Sequence, residues 1–154
     1  MITIRKATND DVPAIAKILR GLGLFAHINN ELADQTEQRV GRHFKLADNN
    51  SHTVYVAENA TGEVIGYTVV HWLPYLILAA PEGYVSDLFV CDSERGRGIG
   101  TKLLAAVEQE AKTRDCSRLS LLNIRNRESY RRGFYKKLGW REREEAAVFV
   151  LPLT

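Results

Sequence analysis

The stretch Arg95-Gly96-Arg97-Gly98-Ile99-Gly100-Thr101 sets alternating glycines between the apolar run from Val85 to Cys91 and an amphipathic run of helical period. That order reads as strand, glycine loop and helix start. The first amides of a helix have no intrahelical partner, and its N-terminus carries roughly half a positive charge; glycines that admit close backbone approach then make a cradle for phosphate. The spacing narrows the ligand. A nucleoside-triphosphate loop needs a Gly-Lys-Ser/Thr ending, which is missing. The dinucleotide fingerprint needs its last glycine farther from the second than Gly100 is from Gly98.

A second chemical segment lies downstream, running from Asn126 to Trp140 and containing Tyr135 within the sequence Phe134-Tyr135-Lys136-Lys137-Leu138-Gly139-Trp140. Together with Arg95-x-x-Gly98-x-Gly100, it resembles the two signature segments of the GNAT superfamily of N-acetyltransferases. The resemblance implies that Arg95, Gly96, Arg97, Gly98, Ile99, Gly100 and Thr101 receive the pyrophosphate of acetyl-CoA. It also implies that Leu88, Phe89 and Val90 present backbone to the pantetheine arm like an extra strand, with Asn126 as a further pantetheine contact. One departure is visible: in many members the asparagine lies closer to the tyrosine than Asn126 lies to Tyr135. Arg125, Arg127, Arg131, Arg132, Lys136 and Lys137 crowd one short segment, where Arg131 and Lys136 can meet the remaining phosphate of coenzyme A or form a solvated basic helix face.

Transfer of an acetyl group to an amine meets a protonation barrier first, because only the neutral amine is a nucleophile. For a lysine-like amine, deprotonation at pH 7 costs about 4.6 kcal/mol. Superfamily members often carry a glutamate on the strand before the glycine loop, four residues ahead of the valine matched by Val90. Here Ser86 stands at that position, with Asp87 beside it. Neighbouring strand residues face opposite sides, so Asp87 serves as the base only if a bulge re-aims it. Glu82, Glu31 and His71 are the other candidates. Tyr135 matches the tyrosine that protonates the departing thiolate; a phenol is a weaker acid than a thiol, so that proton transfer is uphill by about 2 kcal/mol in water and the site must assist it.

The 154 residues suit one domain spanning 1–154. With 21 basic and 19 acidic side chains the net charge is +2, too small to mark nucleic acid as the partner. The run Val64 to Ala80 is too short and too broken by Gly66, Thr68, His71 and Pro74 to span a membrane. The opening Met-Ile-Thr-Ile-Arg-Lys-Ala lacks the pattern of a secretory signal, so the expected location is the cytoplasm. Cys91 and Cys116 lack metal-ligand spacing, which predicts free thiols and no metal site.

Elements that would position these residues follow from periodicity. Ile2 and Ile4 begin a first strand; Val12, Ile15, Ala16, Ile18 and Leu19 lay the stripe of a first helix, and a second helix is predicted over about Glu31 to Leu46. A hairpin joins His52–Ala57 to Val64–Leu73 around Thr61-Gly62, and the next strand, from Glu82 to Val90, feeds the loop. A helix then buries Ile99, Leu103, Leu104, Val107 and Ala111, followed by a strand from Arg118 to Leu122, a helix from Glu128 to Lys137 ended by Gly139, and a last strand from Ala146 to Leu153. The pattern predicts an α/β domain with a mixed sheet. The resemblance adds a GNAT-like fold in which that mostly antiparallel sheet splays between the fourth and fifth strands, flanked by helices.

The functional expectation is direct transfer of acetyl from acetyl-CoA to a primary amine of a small molecule or peptide. The alternative is a non-catalytic acyl-CoA-binding regulatory domain of the same fold. The apolar loop Trp72 to Leu78 and the segment Leu22 to Asn30 are the candidate walls of the acceptor pocket, and the loop also suits a homodimer contact or a cap on the core.

Overall fold

A computed structural model of the chain describes residues 1–46 and 50–154, apart from the side chain of residue 46. These fall into two compact units, 1–122 and 123–154. The first is an α/β unit in the order β1 (Thr3–Lys6), α1 (Val12–Gly21), α2 (Ala26–Asn29), α3 (Ala33–Leu46), β2 (His52–Glu58), β3 (Val64–Leu73), β4 (Glu82–Val90), α4 (Ile99–Thr113) and β5 (Arg118–Leu121). The expected first strand, first two helices and hairpin are all present. Helix α2 was not foreseen, because one turn is too short to establish a period.

The five strands form one sheet in sequential order. β1 to β4 run antiparallel to their neighbours, and β5 runs parallel to β4. Helices flank this mixed sheet. Alternation along β2 and β3 sends Val54, Val56, Tyr67 and Val69 to one face, where they pack with Ile15, Ala16, Ile18 and Val40 of α1 and α3. On the other face, Tyr55 donates to Glu110 of α4 at 3.2 Å. Ile99, Leu103, Leu104, Val107 and Ala111, the stripe read from the sequence, are buried. Removing such a stripe from water is what holds an amphipathic helix on a sheet.

Two irregularities of β4 shape the site. β5 pairs with β4 only from Glu82–Arg118 to Val85–Leu121, so the stretch from Ser86 to Val90 has no ladder partner on that side among the described residues. On its other side β4 is bulged: Val69 pairs with Asp87 and Val70 with Val85, which leaves Ser86 as the extra residue. An extra residue moves the following side chain across the sheet. Asp87 therefore joins Ser86 on the face that carries Tyr67 and His71.

Residues 123–154 contain two short helices, α5 (Glu128–Arg131) and α6 (Phe134–Lys137). A single helix from Glu128 to Lys137 is thus corrected to two turns, because Gly133 sits at φ +67° and breaks the i to i+4 ladder. Gly139, at φ +92°, lies just past the second helix, as the sequence suggested. The strand expected from Ala146 to Leu153 is absent. Its apolar residues pair with no described strand, and Phe149 is 92% exposed. β-propensity without a ladder partner does not make a strand. No helix among the described residues is long and apolar enough to cross a membrane.

The pairing of β4 with β5 depends on Gly83, where an added Cβ would lie 2.5 Å from the Leu119 side chain and 2.8 Å from the ring of Trp72. Both neighbours are bulky. Gly83→Ala should therefore cost about 1–3 kcal/mol by overpacking, read as a lower midpoint in urea unfolding. An unchanged midpoint would show that β4 and β5 are not held at this separation.

Candidate active site

Position in the strand determines what Asp87 touches. Tyr67 OH donates to Asp87 Oδ2 at 3.0 Å and Ser86 Oγ lies 2.7 Å from Asp87 Oδ1. The Tyr67 phenol is 1% exposed, and burial pushes its pKa far above the usual value, so it stays a donor. His71 Nε2 lies 2.9 Å from Ser86 Oγ. Burial, first, and then the neighbouring His52 hold the His71 pKa below its ordinary value, so the ring is neutral at pH 7.

The bulge itself is pinned from the opposite face. Thr68, fully buried, donates its hydroxyl to the Asp87 carbonyl at 2.7 Å. A bulge interrupts the ladder and leaves backbone groups without strand partners, and an unsatisfied buried carbonyl costs about 1–3 kcal/mol. The Thr68 hydroxyl removes that cost at the position that re-aims Asp87.

The other carboxylates considered from the sequence are bound to cations. Arg39 pairs with Glu31, whose carboxylate also accepts from Thr36 Oγ1 at 2.7 Å. These bonds, Arg39 foremost, hold the Glu31 pKa below its ordinary value. Glu82, 4% exposed, accepts from Arg118 Nε at 2.6 Å. Asp87 has hydroxyl partners and no ion pair among the described residues. The role of Tyr67 beside it was missed by sequence reading, since nothing in an alternating strand announces a bulge two strand positions away.

Beyond Val90 the chain makes a short 3₁₀ turn, Asp92–Glu94, and enters the glycine loop. Gly96 and Gly98 adopt φ +79° and +75°, and a Cβ built on either would meet nothing within 4 Å. Gly98 caps α4 without a side-chain hydrogen bond, and the first intrahelical bond runs from Lys102 N to Gly98 O at 3.1 Å. The preceding amides, of Ile99, Gly100 and Thr101, begin a fifteen-residue helix with open space beside its cap. Arg95 and Arg97 are tied to the acids three residues before them, Asp92 at 3.0 Å and Glu94. On the sheet face, the Phe25 ring, just before α2, meets Phe89 edge-on with centroids 5.9 Å apart, which packs part of the Leu22–Asn30 segment on the end of β4.

In residues 123–154, Tyr135 is packed against Phe134 and Trp140 with ring centroids 4.9 and 6.0 Å away. Burial raises its pKa, which keeps the phenol protonated through neutral and mildly alkaline pH. Lys136 pairs with Glu142 at 3.2 Å, and Glu142 also accepts from Tyr130 OH at 2.9 Å. Arg131 and Asn126 are exposed, and Ser129 Oγ donates to Asn123 rather than to Asn126, at 3.0 Å. Cys91 and Cys116 are free and half-buried.

Residues 20–140 match the model of the acetyltransferase (GNAT) family. The chain belongs to that family. It is 31% identical over 140 residues to an aminoalkylphosphonate N-acetyltransferase of Salmonella typhimurium, covering 90% of this chain and 84% of that one. It is 29% identical over 154 residues to an aminoglycoside N(6')-acetyltransferase type 1 of Stenotrophomonas maltophilia, covering 98% and 94%. Among solved structures, one described as a transcriptional regulator from Bacillus halodurans C-125 superposes with a TM-score of 0.82 at 26% identity, over 98% of this chain and all of that one. The chain is thus a GNAT acyltransferase, and acetyl-CoA is the general acetyl donor of its family.

The Thr68 contact carries a testable consequence. Thr68→Val keeps the shape and deletes the donor, so it should lower stability by about 1–3 kcal/mol and speed hydrogen exchange at the amides around Asp87. Equal stability and unchanged exchange would show that the bulge persists without the Thr68 hydroxyl.

Proposed function

We propose that this acyltransferase moves acetyl from acetyl-CoA directly to a primary amine of a small molecule or peptide. The observation that carries this reading is the Ser86 bulge, which sets a half-buried carboxylate free of any described cation beside a strand edge without a partner. When bound, acetyl-CoA supplies an activated acetyl thioester. The residues of the glycine loop fit it: uncapped amides at a helix start, next to open space at Gly96 and Gly98, suit a pyrophosphate.

In this reading the free edge at Leu88, Phe89 and Val90 holds the pantetheine amides as a strand would, and the same backbone amides stabilise charge on the carbonyl oxygen. Asn126, Arg131 and Lys136 supply further contacts to coenzyme A. Asp87 removes the ammonium proton, and the phenol of Tyr135 delivers a proton to the departing sulfur. Relatives described as acting on aminoalkylphosphonates and aminoglycosides support a small polar amine as the acceptor. The non-catalytic alternative is favoured by the name of one structural relative, a transcriptional regulator. Tyr135, which matches the proton-donating tyrosine of the family, favours turnover instead.

Coenzyme A release over a panel of primary amines separates the two readings, since a binding domain turns nothing over. With an amine so identified, Tyr135→Phe should lower kcat by about 10²–10⁴-fold while the acetyl-CoA dissociation constant stays within a few-fold, because the lost bond belongs to the transition state. Wild-type turnover in that variant would assign the acid to another group. For the loop, Gly98→Val should weaken acetyl-CoA binding in calorimetry by at least about tenfold, as a β-branched residue strains at φ +75° and fills the open space. Equal affinity in a folded variant would remove the loop from the binding site.

A further inference from the structure

One hydroxyl has one proton to give. Ser86 Oγ lies 2.7 Å from the Asp87 carboxylate and 2.9 Å from His71 Nε2. An ionised carboxylate only accepts, so the Ser86 proton points to Asp87, and the Ser86 oxygen must accept from His71. The resulting chain runs in one direction: His71 Nε2–H to Ser86 Oγ, Ser86 Oγ–H to Asp87 Oδ1, with Tyr67 OH donating to Oδ2 from the other side. Aligned hydrogen bonds polarise one another, and two donors on different oxygens fix the plane of the carboxylate.

We infer that Ser86 and His71 are positioning residues that orient Asp87 toward the incoming amine, with His71 locked as the Nε2–H tautomer. The inference rests on Asp87 being the base. Three features support it. The bulge places Ser86 and Asp87 side by side on one face, a juxtaposition that a regular strand forbids. Ser86 is exposed and His71 and Asp87 are half-buried, so the chain of bonds borders solvent where an acceptor can enter. The remaining titratable neighbours make no described hydrogen bond to Nε2: the His52 ring of β2 is tilted by 36° against His71 with centroids 5.7 Å apart, His43 of α3 lies 5.4 Å from His52, and Tyr84 of β4 is the register partner of His71.

The burial that keeps His71 neutral serves the arrangement. A neutral ring has a single N–H, so its tautomer is set by the bond it makes, and here Nε2–H is the one that leaves the Ser86 proton on Asp87.

The test combines spectroscopy with kinetics. Long-range ¹⁵N–¹H correlation spectra of the intact protein at pH 7.5 should show His71 as Nε2–H in wild type, with that bias lost in Ser86→Ala; a His71 Nδ1–H tautomer in wild type overturns the inference without any substrate. With an amine found by coenzyme A release, Ser86→Ala should lower kcat at pH 7 by roughly 5–20-fold. The acetyl-CoA KM should stay unchanged, the deficit should close as rising pH deprotonates the amine, and Ser86→Thr should restore most of the rate. Asp87→Asn in the same series keeps the two claims apart. If Asp87→Asn is slow and Ser86→Ala matches wild type, positioning fails and the base stands. If Asp87→Asn itself matches wild type, the base assignment fails.

Discussion

The hydrogen bond from the buried Thr68 hydroxyl to the Asp87 carbonyl is the contact on which the candidate chemistry depends. Without an extra residue at Ser86, Asp87 would point to the α4 face, among Val70, Val85 and the helix stripe, where an unpaired carboxylate is costly. With the bulge, it lies among hydroxyls and an imidazole. A local fault in one ladder therefore brings two adjacent residues onto one face. Its cost in lost strand pairing is offset by a single side chain placed on the far face.

The sheet supplies the second constraint. Strands that stay paired along their whole length expose no backbone between them, and β4 would do so if β5 ran on beyond Leu121. The pairing ends at Val85, and the bulge on the other side falls at the next residue, Ser86. Both departures from regularity thus coincide along the strand, one freeing backbone and the other re-aiming side chains. Phe25 and Tyr67 then close around Phe89, so the end of β4 has an apolar wall on one face and an open edge at its side.

Much of this was legible in residue spacing. Ile99, Leu103, Leu104, Val107 and Ala111 announced their buried stripe through a period of 3.6, and the β2–β3 hairpin through alternation around Thr61-Gly62. The glycine loop was legible because positive φ admits few other residues. What could not be read was anything that depends on contacts distant in sequence. Ser86 and Asp87 look like ordinary alternating strand residues until the register with Val69 and Val70 is known. Glu31 and Glu82 stood as further candidates behind Asp87 until Arg39 and Arg118 were found beside them. The unpaired stretch from Ala146 to Leu153 shows the converse, a strand-like composition without the partner that makes a strand.

Three features of the stretch from Ser86 to Thr101 forgo local stability where a ligand or a reacting group is expected. Helix α4 begins at a glycine in left-handed backbone, so no side chain caps its first amides. Gly96 and Gly98 hold left-handed backbone around open space, where ordered chain gains no packing. The bulge gives up ladder bonds in the middle of the sheet. Leaving the amides of Ile99 to Thr101 uncapped makes them available to an anion; one bound there would contribute the stabilisation that a cap provides elsewhere, and binding and stability would then be linked at that helix end.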